Sequence, residues 1–154
     1  MEQEQGERPL FEGMGEIVLA VRDVNSAAVR LGEIFDSSID AEVTRPEEGI
    51  ELKMRGVWIG NERVAIVGDL TGTGPLARSV DRRGEGLHEI CVRTSNIERA
   101  IAHFKEKGVR LVSDEPHVLR NYEWRGEIFS EVRIVFIHPA SCYGIMVEVQ
   151  EWLK

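Results

Sequence analysis

Two glutamates occupy matching places in an internal repeat of this chain. Glu16 begins the run Glu-Ile-Val-Leu-Ala-Val, and Glu89, 73 positions later, begins the run Glu-Ile-Cys-Val-Arg-Thr. A carboxylate at the same point of both copies indicates a shared site. Carboxylates bind hard cations, and without a metal the repulsion between neighbouring carboxylates raises the pKa of at least one of them. The alternative is a solvated strand face on which these glutamates pair with Arg22, Arg93 or Arg133.

A second group of residues has the chemistry of an anion-binding patch. Arg120 and Arg125 are interleaved with Tyr122 and Trp124 inside residues 113–130, which are predicted to be a loop. Arginine presents a planar fork of N–H donors that matches carboxylate or phosphate. We therefore predict that Arg120, Tyr122 and Arg125 bind substrate. A connection of this length is typically a functional lid or a disordered segment.

The repeat extends from each strand into the helix that follows it, so the sequence predicts two β-α-β-β-β modules. We predict a frayed tail at residues 1–12 and a single domain at residues 13–154. Within that domain the modules are residues 13–74 and 85–150, joined by a helix at residues 75–84 with proline at its start and glycine after its end.

Periodicity and turn residues then place the individual elements. In the first module, Asp23 or Asn25 caps a helix whose apolar face is Val29, Leu31 and Ile34. The predicted elements of the first module are Glu16–Val21, Ser26–Phe35, Ala41–Thr44, Ile50–Ile59 and Arg63–Val67, with a tight turn at Gly60-Asn61. Those of the second are Leu87–Arg93, Ile97–Lys107, Val109–Val112, Glu131–Ile137 and Gly144–Val149.

Composition restricts the class of partner. The chain has 154 residues and a formal net charge of −8, which repels nucleic acid and anionic lipid. Its apolar runs are far shorter than the roughly 20 residues that a membrane-spanning helix needs. Its 2 cysteines lack metal or redox spacing. We predict a cytoplasmic protein that binds a small molecule, with neither nucleic acid nor membrane as partner.

Several short motifs accompany the paired β-α-β-β-β modules. The motifs are Arg83-Gly84-Glu85-Gly86-Leu87-His88-Glu89-Ile90, Glu106-Lys107-Gly108-Val109-Arg110-Leu111, Asp114-Glu115-Pro116 and Phe136-Ile137-His138-Pro139-Ala140-Ser141-Cys142-Tyr143-Gly144. Together the modules and motifs resemble the vicinal oxygen chelate (glyoxalase/bleomycin resistance/dioxygenase) superfamily, in particular its methylmalonyl-CoA epimerase branch. The resemblance implies an α+β fold in which the two modules form a curved, cleft-like mixed sheet with helices on the outside. It also implies a homodimer.

The metal ligands of that branch are altered in this chain. The branch binds a divalent ion with a histidine on the first strand of each module, a glutamine on the last strand of the first, and a glutamate on the last strand of the second. The matching residues are Glu16, Glu89, Ala65 and Glu148. The resemblance therefore implies metal ligation by Glu16, Glu89 and Glu148, and the cofactor is left open between Mg²⁺, Mn²⁺ or Co²⁺ and none.

The resemblance also implies a reaction. Epimerases of this branch move a proton on the carbon next to a thioester, which assigns acid/base roles to Glu148 and, at the match for the second base, to Glu51. The predicted function is an epimerase-like isomerase or lyase acting next to a carbonyl on a diverged substrate, an acyl-CoA or another anion. The alternative is a metal-free protein that binds or sequesters a small molecule, as resistance-type members of the superfamily do.

Overall fold

The computed structural model describes residues 8–47 and 50–154. The chain divides into two compact units: the first unit is residues 15–89, and the second unit is residues 90–154 together with the segment that ends at Met14. The elements are β1 (Phe11–Ala20), α1 (Val24–Phe35), β2 (Val43–Glu47), β3 (Ile50–Ile59), β4 (Glu62–Asp69), α2 (Pro75–Arg83), β5 (Gly86–Thr94), α3 (Ile97–Glu106), β6 (His117–Trp124), β7 (Glu127–Ile137), a short 3-10 turn (Pro139–Ser141) and β8 (Met146–Leu153).

In the first unit the strands lie in the order β2-β3-β4-β1. β1 and β4 are parallel, with Val18 opposite Ala65, while β3 is antiparallel to both β2 and β4. The predicted turn between β3 and β4 is confirmed, and Gly60 supplies its positive φ of 60°. The second strand lies at Val43–Glu47, shifted from the predicted Ala41–Thr44.

Helix α1 packs through small residues. Asp23 caps it, because its carboxylate accepts a hydrogen bond from the Ser26 backbone N–H at 2.9 Å. The predicted apolar face was wrong at two positions, since Val29 and Ile34 are 48% and 53% exposed. The helix is buried instead through Val24, Ala28 and Gly32, which let it lie close to the sheet. The core of this unit is Val21, Val24, Ala28, Val57 and Ile66.

In the second unit the strands lie in the order β5-β8-β7-β6. Asn96 caps α3 by accepting a hydrogen bond from the Arg99 backbone N–H at 2.9 Å. The helix is confirmed at Ile97–Glu106, with Gly108 beyond its end at a φ of 69°. Its apolar face packs on β7 and β8, and the core residues are Ile97, Ala100, Ile101, Phe104, Val135, Ile137, Val147 and Val149.

The predicted loop at residues 113–130 was wrong. Residues 117–124 form strand β6, which pairs with β7 as an antiparallel hairpin. Its two-residue turn, Arg125-Gly126, has φ values of 53° and 80°, the pattern of a type I′ turn. This turn was missed because arginine rarely adopts positive φ, whereas asparagine or aspartate there is the usual signal. The predicted strand Val109–Val112 is reduced to an isolated bridge between Leu111 and Ile137.

The predicted tail at residues 1–12 was too long. The backbone carbonyl of Leu10 accepts hydrogen bonds from Thr94 Oγ1 at 2.7 Å and from the Ser95 N–H at 3.0 Å. Pro9 is held by Ser95 Oγ at 3.0 Å, and β1 begins at Phe11. Residues 1–7 lie outside the described part of the chain. The linking helix is confirmed as α2, Pro75–Arg83, with Gly84 at its end.

Candidate active site

Three side chains on one face of β8 form a hydrogen-bonded series. Trp152 Nε1–H donates to Gln150 Oε1 at 3.0 Å, and Gln150 Nε2–H donates to Glu148 Oε1 at 2.5 Å. An indole nitrogen can only donate, so the Trp152 contact fixes which end of the Gln150 amide faces Glu148. Gln150 is buried and Glu148 is half-buried. The series therefore orients one oxygen of the Glu148 carboxylate.

Strand β5 adds a thiol and a cation to the same unit. Cys91 is buried, and its Sγ lies within 4.8 Å of a Glu148 carboxylate oxygen. The guanidinium carbon of Arg93 lies over the Trp152 ring, 4.3 Å from its centroid, a cation–π contact. Glu89 projects from the same face of β5 as Cys91, because side chains two residues apart share a face. A thiolate and a carboxylate are both metal-ligand types.

The first unit holds an ion-paired network around Arg63. Arg63 Nη1 donates to Glu16 Oε2 at 2.8 Å, and Arg63 Nε donates to Asp40 Oδ2 at 2.9 Å. Trp58 Nε1–H donates to the other Asp40 oxygen at 2.8 Å. The side chains of Arg63 and Glu16 are 10% and 21% exposed. Glu16 is thus an ion-pair partner of a nearly buried guanidinium.

Gly56 makes room for this network. A Cβ at Gly56 would lie 2.2 Å from Arg63 Nε and 2.5 Å from Asp40 Oδ2, so the guanidinium lies against bare backbone. Burial lowers the pKa of Arg63, but the charges and hydrogen bonds of Glu16 and Asp40 outweigh it and raise that pKa above its ordinary value. The guanidinium is therefore permanently charged.

The arginines proposed as partners for strand glutamates have other contacts. Arg22 pairs with Asp81 and Glu85, at 3.5 and 3.4 Å. Arg133 pairs with Glu131 at 2.8 Å, which raises the pKa of Arg133 and, through the same hydrogen bond, lowers the pKa of Glu131. The ion-pair alternative for Glu16 is thus supported, with Arg63 as the partner.

The predicted substrate-binding residues lie on or beside the β6–β7 hairpin. Arg120 is 69% exposed and pairs with Glu131 at 2.5 Å. Tyr122 belongs to a cluster of rings, with its centroid 5.6 Å from that of Trp152 and 6.5 Å from that of Trp124. Arg125 lies in the turn. These contacts do not test whether the three residues bind an anion, so that role remains a prediction.

Glu51 lies apart from the network in the first unit. It is exposed, and on β3 it shares a face with Val57, which packs in the core under α1. Gly56 and Trp58, on the other face of β3, contact the Arg63 network. Strand alternation thus places Glu51 on the opposite face from Glu16.

Four contributors to these arrangements were missed in the sequence: Arg63, Asp40, Gln150 and Trp152. Arg63 is two residues before Ala65 on β4, and Gln150 is two residues after Glu148 on β8, so period-2 alternation could have placed each on the face of the matched ligand position. Asp40 carries no such signal, because it precedes β2 and reaches Arg63 from 23 positions away.

Comparison with known proteins identifies relatives. Residues 16–125 match the model of the Glyoxalase/Bleomycin resistance protein/Dioxygenase superfamily. Human mitochondrial methylmalonyl-CoA epimerase is 25% identical over 139 residues, which are 90% of this chain and 73% of that protein. The ethylmalonyl-CoA/methylmalonyl-CoA epimerase of Cereibacter sphaeroides is 22% identical over 140 residues, 90% of this chain and 96% of that protein.

A solved structure supports the fold. Methylmalonyl-CoA epimerase from Mycobacterium tuberculosis superposes with a TM-score of 0.73 at 22% identity, covering 96% of this chain and 93% of that one. The predicted α+β class with two β-α-β-β-β modules is confirmed. Among residues 8–47 and 50–154, no helix combines the length and the apolar character needed to cross a membrane.

Proposed function

Because this chain belongs to the glyoxalase/bleomycin resistance protein/dioxygenase superfamily, we propose that it is an epimerase-like isomerase or lyase acting at a carbon next to a carbonyl. The proposed substrate class is an acyl-CoA thioester or a related anion, in line with the epimerases that resemble it along 90% of its length. We also propose a homodimer in the cytoplasm, which light scattering and fractionation test.

The Glu148–Gln150–Trp152 series carries this proposal. In the proposed step a Glu148 oxygen takes the proton from the carbon next to the carbonyl, and the C–H electron pair moves into the carbonyl to give an enolate. A proton from solvent water adds to the opposite face of that carbon and inverts its configuration, and Glu148 releases the abstracted proton to solvent. Gln150 holds the second Glu148 oxygen at 2.5 Å, so the base meets the substrate in a defined orientation. Glu51 receives no role, since it is exposed on the opposite face of β3 from the Arg63 network.

The divalent ion of the epimerase branch does not fit the first unit. Ala65, at the glutamine position, is completely buried and has no ligand atom, and Glu16 is engaged by Arg63 at 2.8 Å. Glu16 thus has no support as a metal ligand, and the proposed step uses no metal.

The same ion pair favours a second candidate function, a metal-free protein that binds or sequesters a small molecule. A face whose carboxylates are already neutralised by arginine can bind a ligand without a chelated ion. This candidate differs from the first in having no proton transfer, so one assay separates the two.

The assay is exchange of the substrate α-proton. The protein is incubated with methylmalonyl-CoA and other acyl-CoA thioesters in D₂O, and deuterium incorporation is measured by mass spectrometry. We expect exchange by the wild type and a loss of about 10²–10⁴-fold in Glu148→Gln, the usual contribution of a general acid–base group. Glu151→Gln, on the opposite face of β8, is the matched control and should keep its rate.

Two results would contradict the proposed reaction. The first is exchange that proceeds equally well in Glu148→Gln. The second is absence of exchange with every thioester while calorimetry shows stoichiometric binding, which would establish the binding function instead.

A further inference from the structure

By the resemblance to the epimerase branch, the Arg63 network includes the residue that matches the first ligand of its metal site. Glu16 stands at the first ligand position, and Arg63 lies beside it on β4, in the register that puts Ile17 opposite Val64. Ala65, two residues further along β4, stands at the glutamine position. Of the three matched ligand positions in this unit, Ala65 has no ligand atom, Glu16 is bound to a cation that belongs to the protein, and Glu89 keeps a carboxylate.

A metal ion and Arg63 would compete for the same carboxylate. A divalent ion binds a carboxylate oxygen at about 2.0–2.6 Å. The Arg63 Nη1 atom already lies 2.8 Å from Glu16 Oε2, so an ion at that oxygen would be forced against a positive charge. Arg63 cannot easily withdraw, because Asp40 holds its Nε at 2.9 Å and its side chain is only 10% exposed.

Gly56 and Trp58 also help to hold the Arg63 network in place. Trp58 Nε1–H at 2.8 Å fixes the Asp40 carboxylate, and Gly56 leaves the space that the guanidinium fills. Arg55 Nε–H donates to the Asp40 backbone carbonyl at 2.9 Å, which holds the segment before β2 in place. Several elements of one unit thus converge to hold one arginine.

We propose that the Arg63 guanidinium replaces the divalent ion on the first unit: it supplies the positive charge that neutralises Glu16 and Asp40, and it prevents Glu16 from ligating a metal. With Arg63 in this place, the charge of the Glu16 carboxylate is neutralised without a divalent cation. It does not depend on the reaction proposed for Glu148, so it holds equally for an enzyme and for a binding protein.

The test is metal content of purified protein, measured by elemental analysis after dialysis against Mg²⁺, Mn²⁺, Co²⁺ or Ca²⁺ and then against metal-free buffer. The variants are Glu16→Gln, Arg63→Gln and Arg63→Lys. We expect Glu16→Gln to leave the metal content of the wild type unchanged. Arg63→Gln should bind additional divalent cation, because it removes the cationic partner of two adjacent carboxylates, while Arg63→Lys, the matched control, keeps the charge and should bind no more than the wild type.

Two outcomes overturn the proposal. One is stoichiometric metal in the wild type that disappears in Glu16→Gln, which would make Glu16 a ligand. The other is a folded Arg63→Gln protein that binds no more metal than the wild type. If Arg63→Gln does not fold, the comparison of wild type with Glu16→Gln still decides, because removal of one partly exposed carboxylate leaves the Arg63–Asp40 pair intact.

Discussion

Replacing Gly56 with alanine places a methyl group where the Arg63 side chain lies. The new Cβ would be 2.2 Å from Arg63 Nε and 2.5 Å from Asp40 Oδ2, distances that side chains do not tolerate, so the guanidinium must move. Overpacking costs about 1–3 kcal/mol. Weakening the ion pairs adds about 1 kcal/mol, kept small because Glu16 and Asp40 are 21% and 38% exposed. We expect Gly56→Ala to lower the free energy of unfolding by about 2–4 kcal/mol.

The assay is urea unfolding followed by tryptophan fluorescence, in a double-mutant cycle with Arg63→Ala. Arg63→Ala removes the two Arg63 atoms that the methyl group would meet and leaves Asp40 Oδ2 at 2.5 Å. In that background the loss caused by Gly56→Ala should be smaller by about 1 kcal/mol or more, because the guanidinium no longer has to move and only the 38% exposed Asp40 carboxylate must shift. A loss measured in both backgrounds and equal within about 0.5 kcal/mol would refute the reasoning, since independent sites add.

Three further predictions follow from other parts of the molecule. Trp152→Phe removes the donor that fixes Gln150, so the α-proton exchange rate should fall roughly 3–10-fold with unchanged substrate affinity, whereas an unchanged rate would show that Gln150 needs no anchor. Arg125→Asn creates the favoured Asn-Gly pair of a type I′ turn, and its urea midpoint should rise unless the turn is of another type. Burial, and secondarily the charge of Arg83, lowers the pKa of His88 in the folded protein. The unfolded chain therefore binds a proton at His88 more tightly, and the free energy of unfolding falls as pH drops below about 6.5. His88→Gln should reduce that loss between pH 7.5 and 5.5 in urea titrations, and an identical loss in both proteins would contradict it.

Much of the fold could be read in the sequence because its signals are local. The repeat that relates Glu16 to Glu89 predicted two modules, and each contains one helix between strands. The caps Asp23 and Asn96 and the Pro75 start of α2 are determined by residues within one turn of the helix. The hairpin β6–β7 was missed because its turn places Arg125, an unusual residue, at positive φ.

The candidate site was likewise predictable from the sequence only in part. The sequence by itself determined which positions carry carboxylates, Glu16 and Glu148 among them, and which strand faces they share. Their partners were decided by tertiary structure: Arg63 is 47 positions from Glu16 and 23 from Asp40, and strand register brings the three together. Periodicity reports which face a side chain occupies, whereas pairing across strands depends on the packing of the whole unit. Whether Glu16 is a metal ligand or the partner of an arginine is therefore a property of the folded chain.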